Sequence, residues 1–247
     1  MADTGSPAPP TTIVIPVVEL GYRTAGAFLA SYVTQISQGH IYVEHNAPPP
    51  VGSPIVLRLA APPATMTTLE GTVSFTKPPT GPGQPGGMGI ALGPPPESFG
   101  ATVDRLSSSF TGYRVLLAAT EAAPRAILGR YLRSMLTCTV IDHDASIDRM
   151  RDDIVLDLAV IDLDSSGPRG RELGERLHQR PRPAPIVALA QMERDRALAQ
   201  RIGFDEALRN PPAFAELEAA VLRCLARPAT THHSTKYGTL KGYSADD

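Results

Sequence analysis

The sequence has 247 residues, of which 42% are hydrophobic, and a formal net charge of -2 at pH 7. This length is sufficient for two modest domains, each with its own apolar core. The slight acidity argues against a broad basic surface, so we expect neither nucleic acid nor an anionic membrane as a partner.

Membrane insertion, export and metal binding are not indicated by the sequence. No stretch approaches the roughly 20 apolar residues that a membrane-spanning helix needs. Residues 1–11 have neither the basic start nor the apolar core of a secretory signal, and we expect them to be disordered. Cys138 and Cys224 have no spacing typical of a disulfide or a zinc site. We therefore expect a cytoplasmic protein without a metal or a cofactor.

Residues 1–100 contain most of the prolines and read as short β-type runs separated by turn signals. Several short strands at this spacing predict a small all-β barrel or sandwich, which we assign to residues 12–106. The segment 77–88, rich in proline and glycine, predicts a loop before the last of these strands. The predicted strands are 12–18, 27–33, 40–43, 55–59, 69–75 and 88–92.

A linker at 107–112 leads into a second half, residues 113–227, where apolar strands alternate with amphipathic helices. This alternation predicts an α/β domain with a doubly wound, five-stranded parallel sheet and helices on both faces. Residues 228–247 show neither helical nor strand periodicity, and we expect a flexible tail. The predicted strands are 114–119, 138–141, 156–161, 185–190 and 206–208, and the predicted helices are 124–135, 146–153, 169–179, 192–202 and 213–226.

The C-terminal half resembles the receiver domains of two-component signalling, which have a flavodoxin-like fold. The residues that carry the resemblance occur in the family's order, at 115–121, 157–162, 185–190 and 203–211. In receivers, an aspartate at the end of the third strand accepts a phosphoryl group from a histidine kinase. The resemblance places Asp162 at this position.

The residues that would assist phosphoryl transfer in a receiver are replaced. Ala119 and Thr120 stand where two acidic residues would hold a divalent cation. Ala190 stands for the switch hydroxyl, and Asn210 for the lysine. Because transfer to a carboxylate requires neutralisation of the developing charge, these changes predict a pseudo-receiver in which Asp162 is a vestigial phosphoacceptor. We expect such a domain to dock partners or to form a homodimer.

The N-terminal half resembles a PilZ domain, a family that binds cyclic di-GMP through an arginine pair and a D/N-x-S-x-x-G motif. The resemblance rests on residues 28–43, 50–59, 70–75 and 87–92. Arg23 has no arginine four residues before or after it. In the motif, Gln35 replaces the acid or amide, Ser37 is kept, and His40, just after Gly39, occupies the final glycine position. These losses of charge-assisted contacts and of a small residue predict that cyclic di-GMP is not bound tightly.

Three functions are compatible with two such halves. The first is a non-enzymatic bacterial signalling adaptor in motility or cell-polarity control, recruited to a cell pole and acting on other signalling or motility proteins. The second is a cyclic di-GMP receptor, and the third is a phosphorylatable response regulator, although regulators usually place the receiver first. No Ser-His-Asp, Cys-His or paired-carboxylate constellation supports an enzyme.

Overall fold

The computed structural model describes residues 13–63, 65–79, 86–143, 154–181 and 183–238. The segment 1–11, the predicted helix 146–153 and part of the predicted loop 77–88 lie outside these residues. Within the described ranges, no helix is both long enough and apolar enough to cross a membrane.

The elements alternate differently in the two halves. The N-terminal half contains β1 (Ile13–Gly21), α1 (Ala25–Thr34), β2 (His40–Glu44), β3 (Pro54–Ala61), β4 (Thr65–Lys77), β5 (Gly87–Leu92) and α2 (Glu97–Ser109). The C-terminal half contains β6 (Tyr113–Ala118), α3 (Ala122–Met135), β7 (Cys138–His143), β8 (Leu158–Asp162), α4 (Leu163–His178), β9 (Ile186–Leu189), α5 (Glu193–Arg201), β10 (Glu206–Leu208), α6 (Phe214–Ala226) and β11 (Thr230–Gly238).

The N-terminal half is organised around a mixed six-stranded sheet in the order β11-β1-β3-β4-β5-β2. β1 runs parallel to β3, and the other neighbouring strands are antiparallel. Phe28 of α1 and Phe99 and Leu106 of α2 pack into one apolar core with the strands. Among the described residues no backbone ladder joins β2 to β11, and two helices pack against the sheet, so the predicted all-β barrel is not confirmed.

The predicted strand at 27–33 is wrong, because these residues lie within α1. The helix begins where the Thr24 hydroxyl accepts a hydrogen bond from the Ala27 N–H at 3.1 Å. Residues 26–31 are all buried, so their run of apolar and small side chains has no polar face that would show a helical period. The first part of the predicted linker 107–112 is also helical, because α2 continues to Ser109.

The predicted flexible tail also differs from the structure, since residues 230–238 form β11. This strand pairs antiparallel with β1 along its whole length, from Gly21↔Thr230 to Ile13↔Gly238. Its described side chains, at 230–234, are exposed or half-buried. Because β11 is held through its backbone and buries none of these side chains, its sequence needs no alternation of apolar residues. This explains why no strand pattern is visible in the segment.

The C-terminal half confirms the predicted five-stranded parallel sheet. Its order is β10-β9-β8-β6-β7, and every neighbouring pair is parallel. β8 and β9 are buried throughout, as expected for strands covered on both faces. One face packs against α4 and α5 through residues such as Leu173 and Ala199, and the other against α3 and α6 through Leu132 and Leu217.

The two halves are joined by side-chain contacts across α1. Ala30 of α1 belongs to the apolar cluster formed by α3, α6 and the parallel sheet. The Thr24 hydroxyl donates to Asp157 Oδ1 at 2.5 Å, and Asp157 Oδ2 accepts the Arg114 N–H at 2.8 Å. The Tyr113 hydroxyl donates to the Gly26 carbonyl at 3.2 Å. Together with β11, these contacts make the sheet of the first half dependent on the second.

Candidate functional site

The carboxyl ends of the parallel strands form the edge at which doubly wound proteins place their functional residues. Asp162 is the last residue of β8, and its side chain is buried, with only 1% of the residue exposed. Its Oδ1 accepts N–H bonds from Asp164 at 3.1 Å and Ser165 at 3.4 Å. Asp162 is therefore the N-cap of α4, where a carboxylate favourably faces the free N–H groups and the positive end of the helix.

A second carboxylate extends this arrangement to the neighbouring strands. Asn210, which follows β10, donates from Nδ2 to Asp162 Oδ1 at 3.0 Å and to Asp164 Oδ2 at 2.8 Å. The N–H of Gln191, just after β9, lies 3.1 and 2.9 Å from the two carboxylate oxygens of Asp164. These bonds tie the ends of β8, β9 and β10 together, and we call these four residues the edge network.

A guanidinium lies beside the position that the acidic pair occupies in a receiver. Ala119 is buried after β6, and Arg125 of α3 donates from Nη1 to its carbonyl at 3.1 Å. The Thr120 N–H donates to Ser165 Oγ at 3.1 Å. A guanidinium thus lies next to the place where two carboxylates would hold a divalent cation.

The end of β9 carries a second guanidinium. Ala190 is fully buried and offers only a methyl group where a receiver has a hydroxyl. Arg196 donates from Nη1 to the carbonyls of Ala190 and Gln191, at 2.8 and 2.7 Å. The same side chain is ion-paired with Glu193.

This donor set does not fit the magnesium ion that receivers use. Mg²⁺ requires several oxygen ligands in near-octahedral geometry. Here Asp162 Oδ1 and both oxygens of Asp164 already accept hydrogen bonds, and Arg125 adds positive charge nearby. Among the described residues, no group of three or more His, Cys, Asp or Glu side chains could hold a metal ion.

The structure brings together some of the predicted site residues and separates others. Asp162, Ala119, Ala190 and Asn210 meet at one edge of the sheet, as their order in the sequence predicts. The sequence interpretation missed Asp164, whose position two residues after Asp162 was the available signal.

Arg23 and the residues of the D/N-x-S-x-x-G motif do not form a common site. Arg23 lies before α1 and Gln35 after it, so the length of the helix, roughly 15 Å, separates them. Gln35 Oε1 accepts the Tyr42 N–H at 2.9 Å, and the Ser37 hydroxyl donates to the Val33 carbonyl at 3.3 Å. Gly39 ends a short 3₁₀ turn at a φ of 77°, and His40 is exposed at the start of β2. Gln35 is thus bonded to the backbone of β2, and Ser37 to the last turn of α1.

Arg23 lies at the junction of the two halves. Its Nη1 donates to the Pro183 carbonyl at 3.3 Å, whereas Nε and Nη2 are buried and have no hydrogen-bond partner among the described residues. Burial lowers the pKa of Arg23, and the charges of Asp205 and Asp157 oppose this shift. A guanidinium in this position is not available to bind a phosphate group.

A cavity of about 470 Å³ also lies at the junction, between α1, β2, α6 and the start of β11. Its charged lining is internally paired. Arg227 contacts Glu44 at 2.7 Å and Asp205 at 3.1 Å, which links the two halves, and Arg223 contacts Glu206 at 2.8 Å. The carboxylates raise the pKa of Arg227 against the effect of burial, which lowers it.

The strand order of the C-terminal half, counted within that half as 2-1-3-4-5, defines a doubly wound domain of the flavodoxin-like type, the order also found in receivers. The C-terminal half thus has the strand order and the layered α/β fold that receiver domains share. No model of a known protein family matches the chain. The search of curated proteins likewise gave no match.

Solved structures similar to this chain include receiver domains. One is a response regulator from Chloroflexus aurantiacus, with 22% identity and a TM-score of 0.42 over 47% of this chain and 98% of that chain. A second is the receiver domain of a sensor histidine kinase from Pseudomonas aeruginosa, with a magnesium ion in its active-site cleft, at 22% identity and a TM-score of 0.41 over 46% and 98%. A third is a response regulator receiver protein from Burkholderia phymatum, with 20% identity and a TM-score of 0.40 over 47% of this chain and 96% of that chain.

Proposed function

We propose that this chain is a non-enzymatic signalling adaptor whose receiver-like half is held in one state and contacts other signalling proteins. The observation that carries the proposal is the edge network. Asp162, the expected phosphoacceptor, is buried and caps α4, and Asn210 and Gln191 tie its neighbourhood to the next two strands.

The chemistry of the edge supports the loss of phosphorylation. A carboxylate that accepts a phosphoryl group needs a nearby cation that neutralises the charge developing on the transferred group. Three N–H donors converge on Asp162 Oδ1. The two guanidiniums at this edge, Arg125 and Arg196, are bonded to strand-end carbonyls. Without a switch, what remains useful in such a domain is its surface.

Phosphoryl transfer is tested on the full-length protein. We expect that incubation with acetyl phosphate and Mg²⁺ leaves the intact mass unchanged. Asp162→Asn, treated in parallel, is the matched control. Addition of one phosphoryl group to the wild type, lost in Asp162→Asn, would show that this edge is a working receiver.

Cyclic di-GMP binding by the N-terminal half is the alternative, and it rests on the resemblance to PilZ domains. The placement of Arg23 between the halves and of Gln35 at the other end of α1 does not favour it. Calorimetric titration of the full-length protein decides the question, and we expect no heat of binding. Micromolar binding that Arg23→Ala abolishes would revive the receptor function. Motility and cell polarity, at a pole of the cell, are the processes that this resemblance suggests for the adaptor.

A further inference from the structure

The β1 edge of the N-terminal sheet is covered by β11. β1 is apolar, and Val17, Val18 and Leu20 are buried. Without β11, its nine residues would present an open row of backbone donors and acceptors, interrupted only by Pro16. Such an apolar edge is a site at which another strand adds.

β11 contributes little to the interior that it covers. None of its described side chains, at 230–234, is buried, and none belongs to an apolar core cluster. β11 is held by the backbone ladder with β1 and by His233, which hydrogen-bonds the Glu44 backbone and whose ring centroid lies 3.9 Å from that of His45. A strand with few buried contacts is among the first parts of a fold to open.

The connection to β11 favours exchange between copies. Only Arg227, Pro228 and Ala229 separate α6 from β11, and a short hinge of this kind invites swapping of the segment that follows it. Arg227 is held in its own copy by Glu44 and Asp205, so the hinge lies after it.

We propose that the β1 edge is an interface between two copies of this chain, each of which accepts β11 of the other in a strand-exchanged dimer. The exchanged strand would recover the same register, from Gly21↔Thr230 to Ile13↔Gly238. Because the exchanged strand makes the same backbone hydrogen bonds to its partner as it makes within one chain, such exchange is a low-cost route to a dimer. Addition of a strand to the outer edge of β11 is less suitable, since His45, next to β2, contacts His233 there.

The test is disulfide formation between two different full-length variants. One carries Glu19→Cys and the other His232→Cys, which are cross-strand partners. Both carry Cys138→Ser, because Cys138 is partly exposed, whereas Cys224 is buried. The variants are mixed, incubated over a range of concentrations and oxidised. We expect a covalent heterodimer whose yield increases with concentration, because this disulfide requires β11 of one copy beside β1 of the other.

Two controls make the result specific. Ser234→Cys pairs with Val17 and not with Glu19, so its mixture with Glu19→Cys should give a several-fold lower yield. The double variant Glu19→Cys/His232→Cys, oxidised while dilute, should close within one chain and then no longer dimerise. Equal yields from both mixtures would indicate random collision and overturn the proposal. Formation of the disulfide within one chain of the double variant, with no heterodimer from the mixed variants, would also overturn the proposal. The β1 edge would then pair with β11 of its own chain or with a different protein.

Discussion

Asp157 offers the sharpest test of how the two halves are joined. Its carboxylate is buried, with 7% of the residue exposed, and accepts the Thr24 hydroxyl and the Arg114 N–H. Asp157→Ala removes both bonds and leaves the Arg114 N–H without its acceptor. Because a hydrogen bond to a charged group contributes about 1.5–3 kcal/mol, we expect a loss of about 3–5 kcal/mol in the free energy of unfolding.

The assay is urea denaturation of the full-length protein followed by circular dichroism. Asp157→Asn keeps an acceptor for the Arg114 N–H and a donor for Thr24, so we expect a smaller loss, about 1–2 kcal/mol. Asp104→Ala, at an exposed position of α2, is the matched control and should change stability by less than about 0.5 kcal/mol. If Asp157→Ala stays within about 1 kcal/mol of the wild type, the junction does not depend on this carboxylate.

Three further predictions concern β11, α4 and the buried arginine. Burial lowers the pKa of His45 and His233 from 6.5, so the folded chain favours the neutral rings. The stability that the neutral rings contribute is fully present above pH 6.5, and it is lost as the pH falls through their lowered pKa values. The protection factors of the β11 amides, which correct for the slower intrinsic exchange at lower pH, should therefore fall on acidification, and less so in His45→Gln. Gly174→Ala would place a methyl group against the Phe204 ring and should lower the free energy of unfolding by about 2 kcal/mol in the same denaturation assay. Arg23→Met, which removes a guanidinium with unpartnered N–H groups, should change it by less than about 1 kcal/mol; a larger loss would show that the charge is essential at the junction.

The receiver-like half could be predicted because its local signals agree with its fold. Each buried strand is a short apolar run, and each helix has an apolar face that packs on the sheet. The order of the strands then brought Asp162 and Asn210 to one edge. The edge network could not be predicted, because the bonds of Asp164 to Gln191 and Asn210 join residues 27 and 46 positions apart in the chain.

The N-terminal half was harder to predict for two physical reasons. Residues 26–31 of α1 are all buried, between the sheet and α6, so they show no amphipathic period that would distinguish a helix from a strand. β11 is polar and is defined by pairing with β1 at the other end of the chain. Its sequence therefore has no local pattern that predicts a strand.

The most direct test of the adaptor proposal is whether the edge network responds to a phosphoryl mimic. Amide spectra of the full-length protein would be recorded with and without beryllofluoride and Mg²⁺. We predict that the resonances of Asp164, Ser165, Gln191 and Asn210 do not shift, because Asp162 is committed to the cap of α4. Saturable shifts of these four resonances, absent in Asp162→Asn, would contradict the account and show that this half switches.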